Sequence, residues 1–105
     1  MSVTPTDPAV RALVDAVNAG DRTAFLDLLT PGATLSDDGT ERDLQQWIDR
    51  EIFHANGRMD VLSETDGGRS LTADFRNDTW GAMRTSWRFT VDDGGKIRRI
   101  TTGQA

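Results

Sequence analysis

Apolar residues recur with helical spacing through the first half of the chain. Asp7 and Pro8 favour a helix start, because Asp accepts an exposed backbone N–H and Pro suits the first helical position. Apolar residues then follow at every third or fourth position and form one stripe, namely Val10, Leu13, Val14 and Val17. A second, shorter helix is predicted between Asp21 and the stop at Pro31-Gly32.

A third helix is predicted after a short extended segment at 33–36 and a turn at 37–39. Thr40 and Asp43 resemble a capping box, with Asp in place of the usual Glu. The helix that follows carries four apolar residues on one face, namely Leu44, Trp47, Ile48 and Ile52. Asn56-Gly57 ends this helix.

In the second half of the chain the period changes to two, which is typical of strands with one buried face. Glycine-rich turns separate these strands. The inward positions are Leu71, Ala73 and Phe75 in one strand and Met83, Thr85, Trp87, Phe89 and Val91 in the next. Ile97 and Ile100 have opposite parity, so the last strand needs a bulge or a late start, and the directions of Arg98 and Arg99 stay open.

Three helices followed by an antiparallel meander with one apolar face predict an α+β fold. The three helices of the N-terminal half would pack on the concave face of a cone-shaped, curved antiparallel sheet, and the open end of the cone is a natural pocket. The 105 residues suit a single domain that spans 1–105. Residues 1–6 are expected to form a flexible tail.

Composition excludes several kinds of function. The chain has no Cys and one His, and no ligand spacing is visible, so we predict no metal site and no cofactor. The net charge of −5 disfavours nucleic acid as a partner. Neither a signal-like start nor a run of about 20 apolar residues is present, so we expect a cytoplasmic protein that does not associate with membranes.

The order of elements, together with several short motifs, resembles the nuclear transport factor 2-like superfamily. The motifs are Asn18-Ala19-Gly20-Asp21, Leu29-Thr30-Pro31-Gly32-Ala33-Thr34, Trp87-Arg88-Phe89 and Gly94-Gly95-Lys96-Ile97. The resemblance covers nearly the whole chain and implies the cone-shaped, cystatin-like fold. This superfamily includes ketosteroid isomerases, SnoaL-like polyketide cyclases, dehydratases, epoxide hydrolases and noncatalytic domains, so the fold alone does not transfer a function.

The ketosteroid isomerases of this superfamily use an Asp base and an oxyanion hole formed by a Tyr and a protonated Asp. The resemblance implies Asp37 at the base position, Leu13 in place of the Tyr and Thr85 in place of the second Asp. Each missing donor can cost about 3–4 kcal/mol of barrier, so we reject steroid isomerisation by this mechanism. The Asp-Arg-Asp set of the epoxide hydrolases has no match either.

Asp37 and His54 are the candidate catalytic residues. Asp37 could act as a general base if the helices bury it, and a solvated turn carboxylate is the alternative. His54 lies on the same side of the third helix as Trp47 and could exchange protons near neutral pH. The alternative is an exposed histidine, favoured by the helix dipole and able to pair with Glu51.

The candidate ligand-binding residues are Leu13, Trp47, Thr85, Trp87 and Trp80. Trp47 and Trp87 lie on the inward faces of helix and sheet, where they could hold a flat apolar ligand or simply pack in the core. Trp80 lies in the connection between two strands. It could cap the pocket, lie in a subunit interface or fold back into the core.

Two functions therefore stay open. The first is a SnoaL-like protein that binds an apolar or aromatic small molecule in its pocket, with proton-transfer or hydration chemistry if it is an enzyme. The second is a noncatalytic homodimerising or partner-binding module that uses the outer face of the sheet. Arg76, Arg84 and Arg88 share that face with Asp74, which favours cross-strand ion pairs at a homodimer interface over a surface for nucleic acid.

Overall fold

The computed structural model describes residues 3–105 as three helices and six strands. The helices are α1 (Pro8–Ala19), α2 (Arg22–Asp27) and α3 (Leu44–Ile48). The strands are β1 (Leu29–Asp37), β2 (Thr40–Arg42), β3 (Arg58–Thr65), β4 (Ser70–Asn77), β5 (Gly81–Val91) and β6 (Ile97–Gln104). A π-helical turn, Asp49–Phe53, extends α3, and a 3₁₀ turn, Asp66–Gly68, joins β3 to β4.

The strands form one curved, unclosed sheet in the order β2-β1-β6-β5-β4-β3, and the helices complete an α+β fold, which confirms the predicted fold class. One detail differs from the prediction. β1 and β6 run parallel, so the sheet is mixed rather than wholly antiparallel. These two strands are not consecutive in the chain, and the alternation of apolar residues within a strand carries no information on the relative direction of such a pair.

The first helix begins as the sequence predicts. The Asp7 carboxylate accepts hydrogen bonds from the backbone N–H groups of Ala9 and Val10 at 2.9 and 3.2 Å. Arg69 donates to the other carboxylate oxygen at 3.0 Å. Burial by itself raises the pKa of Asp7, but the bond from Arg69 and the two backbone N–H groups outweigh it, so the pKa lies below its ordinary value. Gly20 ends the helix in the left-handed conformation.

The predicted capping box of the third helix is wrong. Asp43, not Thr40, caps α3, because its carboxylate accepts from the backbone N–H of Gln46 at 3.0 Å. Thr40 instead begins β2 and pairs with Asp37. Asp38 and Gly39 between them have φ angles of 49° and 83°, as a two-residue hairpin with both central φ angles positive requires. Asp37 is therefore the last residue of β1.

The predicted irregularity of the last strand is a β-bulge. Thr90 pairs with Arg99 and Val91 with Ile97, so the register skips Arg98. The bulge lets Ile97 and Ile100 both point into the core, where both are 0% exposed. Arg98 is exposed. Arg99 donates hydrogen bonds to Thr34 at 2.9 Å and to Glu41 on the outside of the sheet.

Residues 3–6 run beside β3, where Val3 donates its backbone N–H to the carbonyl of Val61 at 2.8 Å and Thr6 donates to Glu64. The first two residues of the predicted tail lie outside the described residues, and the flexibility of residues 1–6 stays a prediction. No helix within residues 3–105 is both long enough and apolar enough to cross a membrane.

Candidate functional site

A cavity of about 540 Å³ opens between the sheet and the segment formed by α3 and its π-helical turn. Residues of β1, β2, β4, β5 and β6 contribute to its wall, together with the turn before β5. Five of the residues predicted from the sequence line this cavity, namely Asp37, Trp47, Trp80, Thr85 and Trp87. The fold thus brings together one candidate catalytic residue and four candidate ligand-binding residues.

Three aromatic side chains form the floor of the cavity. Trp47, Phe75 and Trp87 are only 5%, 4% and 3% exposed, so most of each ring packs in the core. Trp47 and Trp87 meet edge to face with ring centres 6.1 Å apart, and Phe75 lies 6.0 Å from Trp87. Trp47 and Trp87 therefore pack in the core and also present a small apolar area to the cavity, and their role in holding a flat ligand stays a prediction.

The polar atoms of this floor are already hydrogen-bonded within the protein. The indole N–H of Trp47 donates to Oδ2 of Asp37 at 3.1 Å, and that of Trp87 donates to Oγ1 of Thr85 at 2.8 Å. The Thr85 hydroxyl in turn donates to the carbonyl of Ala73 at 2.9 Å. The two tryptophans thus offer a ligand only carbon surface, and Thr85 can accept a hydrogen bond from a ligand but has no hydrogen left to donate.

Asp37 is the polar group best placed to meet a ligand. It is half-buried at the end of β1, and its Oδ2 is occupied by the Trp47 indole. Among residues 3–105 nothing donates a hydrogen bond to its Oδ1, and no Arg, Lys or His lies within ion-pair distance. One carboxylate oxygen can therefore accept a hydrogen bond or a proton from a molecule in the cavity.

Charged side chains of both signs surround the mouth. Arg50 and Glu51 form an ion pair at 3.2 Å, and the indole N–H of Trp80 donates to the second Glu51 oxygen at 2.9 Å. Asp38 accepts the backbone N–H of Gln104 at 2.9 Å. Arg42 also lines the cavity, and its exposed guanidinium has no ion-pair partner in the described part of the chain. The mouth is therefore polar, whereas the floor is apolar.

Trp80 lies at this mouth and does not fold back into the core. It is 65% exposed and stands in the turn between β4 and β5. Its backbone N–H donates to the side-chain oxygen of Asn77 at 2.8 Å. Of the three positions considered for this residue, the structure excludes the core and places Trp80 beside the pocket, and a position in a subunit interface stays a prediction.

The structure places Leu13 and His54 elsewhere. Leu13 is 0% exposed in α1 and belongs to the core, and it is not among the residues that line the cavity. His54 is exposed and follows the π-helical turn, where its backbone N–H donates to the carbonyl of Asp49 at 2.7 Å. The wider π-helical turn changes the angular step along the helix, so His54 does not continue the face of Trp47.

Several residues of the site were missed or given another role by the sequence analysis. Glu51 was considered only as a partner for His54, although its spacing of four residues from Trp47 places both on one side of a helix. Arg42 was missed because Thr40, which follows the predicted turn at 37–39, was interpreted as a helix cap, so no strand was predicted after that turn. No signal in the sequence indicated Asn77 as a partner of Trp80.

In the part of the chain that the structure describes, no three His, Asp or Glu side chains are grouped so that they could hold a metal ion.

Comparison with known proteins adds information at the level of the fold. No protein-family model matches the chain. No curated protein sequence matches it.

Solved structures do match. A Delta 5-3-ketosteroid isomerase from Mycobacterium sp. is 19% identical, with a TM-score of 0.72 over 95% of this chain and 92% of that chain. RV0760c from Mycobacterium tuberculosis, in complex with estradiol-17beta-hemisuccinate, is 14% identical, with a TM-score of 0.77 over 95% and 93%. An NTF2-like protein of unknown function from Cytophaga hutchinsonii is 14% identical, with a TM-score of 0.76 over 96% and 90%.

At these identities the likeness shows the fold alone. The chain has the nuclear transport factor 2-like fold, as the resemblance in its sequence implied. Proteins that bind small molecules, such as RV0760c with its steroid ester, share this fold.

Proposed function

We propose that this protein binds one small apolar or aromatic molecule in the cavity above Trp47 and Trp87. The observation that carries the proposal is the combination of an aromatic floor without free polar atoms and a single half-buried carboxylate without an ion-pair partner among the described residues. Small-molecule sites are typically clefts of about 300–1,000 Å³ that are mostly apolar and hold a few placed polar groups. The 540 Å³ cavity fits that description.

The free Oδ1 of Asp37 indicates which chemical group of the ligand should lie next to it. A carboxylate is only an acceptor, so the ligand group that meets it is a hydroxyl, an amine or an acidic C–H. Arg42 is also unpaired in the described part of the chain, but its guanidinium is exposed and hydrated. The half-buried Asp37 therefore gains more from a ligand partner than Arg42 does.

If the protein is an enzyme, Asp37 is the residue that would carry a proton-transfer or hydration reaction. It would take a proton from the ligand, or from a water that attacks the ligand, and would return that proton to the product. His54 is left out of this proposal because it does not line the cavity. The neighbours of this fold support a compact ring system as the ligand, since one is a ketosteroid isomerase and another holds a steroid ester.

The test is a titration with 2-naphthol, a flat apolar probe with one donor, followed by ¹H–¹⁵N NMR. We expect saturable shifts of the indole N–H signals of Trp47 and Trp87. Met83→Trp should weaken binding at least about tenfold, because Met83 lines the cavity and a larger ring would fill it. Arg84 follows Met83 in β5 and faces outward, so Arg84→Trp is the matched control. This variant should bind 2-naphthol as tightly as the wild type does. Equal binding by both variants, or no shift in the wild type, would contradict the proposal.

We also propose that two copies associate through the outer face of the sheet. The register places polar side chains in two rows across neighbouring strands, namely Ser63, Thr72 and Ser86 in one row and Ser70, Arg88 and Thr101 in the other. These rows surround a shallow depression of about 340 Å³. Glu64 and Arg88, which carry opposite charges, both line this depression, so two copies related by a two-fold axis can form ion pairs across it. The cavity lies on the other face of the sheet, so this association would leave the ligand site open.

A further inference from the structure

Trp80 is the one large hydrophobic side chain that stands exposed among the described residues, at 65%. Aromatic side chains bury about 150–250 Å² when they are covered, so leaving one in water forgoes a large stabilisation. Single exposed apolar residues are common on protein surfaces. Trp80 differs from such residues because hydrogen bonds hold both its backbone and its ring in place.

Two polar side chains fix Trp80, and they are linked to each other. Glu51 accepts the indole N–H at 2.9 Å, and Asn77 accepts the backbone N–H at 2.8 Å. The amide of Asn77 then donates to the carbonyl of Glu51 at 2.9 Å. Asn77 is 3% exposed, so water competes little for its two bonds. The Glu51 side chain is 13% exposed, whereas the indole that it holds is open to water.

The turn that carries Trp80 is also docked on the rest of the protein. Asp78 donates its backbone N–H to the carbonyl of Ala55 at 2.8 Å, and its carboxylate accepts from the Asn56 side chain at 2.7 Å. The turn therefore cannot swing freely over the cavity. The indole is held at the mouth before any ligand arrives, which lowers the entropy that binding has to offset.

We propose that Glu51 is a positioning residue that holds the ring of Trp80 as a preformed wall of the cavity, and that this wall makes the site select flat aromatic ligands. The inference rests on the proposed function. A planar ring can stack on an exposed indole face, whereas a puckered ring of the same skeleton touches it at only a few atoms. Trp80 thus discriminates by shape at the mouth, while Asp37 meets the donor group of the ligand.

The position of the indole is tested by NMR without any ligand. Trp80→Phe identifies the indole N–H signal. Glu51→Ala should move that signal and speed its exchange with water, whereas Glu51→Gln keeps an oxygen acceptor and should restore it. Glu41→Ala removes a different carboxylate that is paired with an arginine, Arg99, on the outer surface, and it should leave the signal unchanged. An indole signal that is the same in Glu51→Ala and the wild type would overturn the positioning role.

Selectivity is tested with 2-naphthol and decahydro-2-naphthol, which share a skeleton and a hydroxyl group but differ in planarity. We expect the wild type and Glu51→Gln to prefer 2-naphthol, and Trp80→Ala and Glu51→Ala to bind it about 2- to 10-fold more weakly, with most of the preference lost. If the wild type binds 2-naphthol and both alanine variants bind it equally well, the inference fails while the proposed function stands. If the wild type binds neither probe, the proposed function fails and the inference fails with it.

Discussion

Replacement of Asp7 tests whether one carboxylate links the first helix to the connection between β3 and β4. Its two bonds to α1 form a helix cap, and loss of such a cap costs about 0.5–2 kcal/mol. The ion pair with Arg69 adds less, about 0–1 kcal/mol, because the arginine side chain is 46% exposed and screened by water. Asp7→Ala should therefore lower the free energy of unfolding by about 0.5–3 kcal/mol near neutral pH.

The pH dependence separates the charge of Asp7 from its role as a cap. The pKa of Asp7 in the folded protein is lowered, so its charge stabilises the fold above the unfolded pKa of about 3.9. That contribution is lost as the pH falls through the folded pKa. Asp7→Asn keeps a capping oxygen and lacks the charge. Its stability should fall below that of the wild type near pH 7 and approach it near pH 2.

Urea unfolding followed by circular dichroism at both pH values measures these differences. Asp21→Ala is the matched control, since Asp21 caps α2 through one bond to Ala24 at 3.0 Å and has no ion pair among the described residues. It should cost less than Asp7→Ala. A gap between the wild type and Asp7→Asn that stays constant from pH 7 to pH 2 would refute the charge argument, and a cost for Asp7→Ala no larger than that for Asp21→Ala would refute the link to Arg69.

Two further predictions concern the core and the outer face. Trp47→Ala should destabilise the fold by about 3–5 kcal/mol in urea unfolding, because the side chain is 5% exposed. A loss below about 1 kcal/mol would mean that the ring does not pack in the core. Light scattering at micromolar concentration should report a dimer, and Ser86→Arg should shift it toward the 11.5 kDa monomer by placing like charges on the outer face. A monomer at both low and moderate salt would contradict the homodimer.

The elements that the sequence predicts well are those defined by local spacing. The apolar stripe of α1 and the alternation in β4 and β5 fix both the element and its buried face. The parity conflict between Ile97 and Ile100 predicts a bulge, because two buried residues three apart cannot share a face of a regular strand. The parallel pairing of β1 with β6 is different, since it depends on how distant segments meet.

The third helix shows how a pattern can fit two structures. Its apolar residues suit an α-helix, yet Trp47 and Ile52 are five residues apart, which also suits the wider turn that follows α3. Ile52 is 1% exposed, and it would be buried in a regular α-helix as well as in the π-helical turn. A regular α-helix would place His54 on the same side as Trp47, which is why His54 was considered as a pocket residue. The π-helical turn instead leaves His54 exposed to solvent.

The position of Asp37 follows from parity combined with the hairpin. Leu35 is 0% exposed on the inner face of β1, and a residue two positions later in the same strand shares that face. Asp37 therefore points to the cavity only if the strand continues to it, and the pairing of Asp37 with Thr40 around Asp38-Gly39 ensures this. The pairing of Asp37 with Thr102 of β6 extends β1 to the same residue. Both neighbouring strands therefore keep the Asp37 carboxylate on the inner face, where it accepts the indole N–H of Trp47.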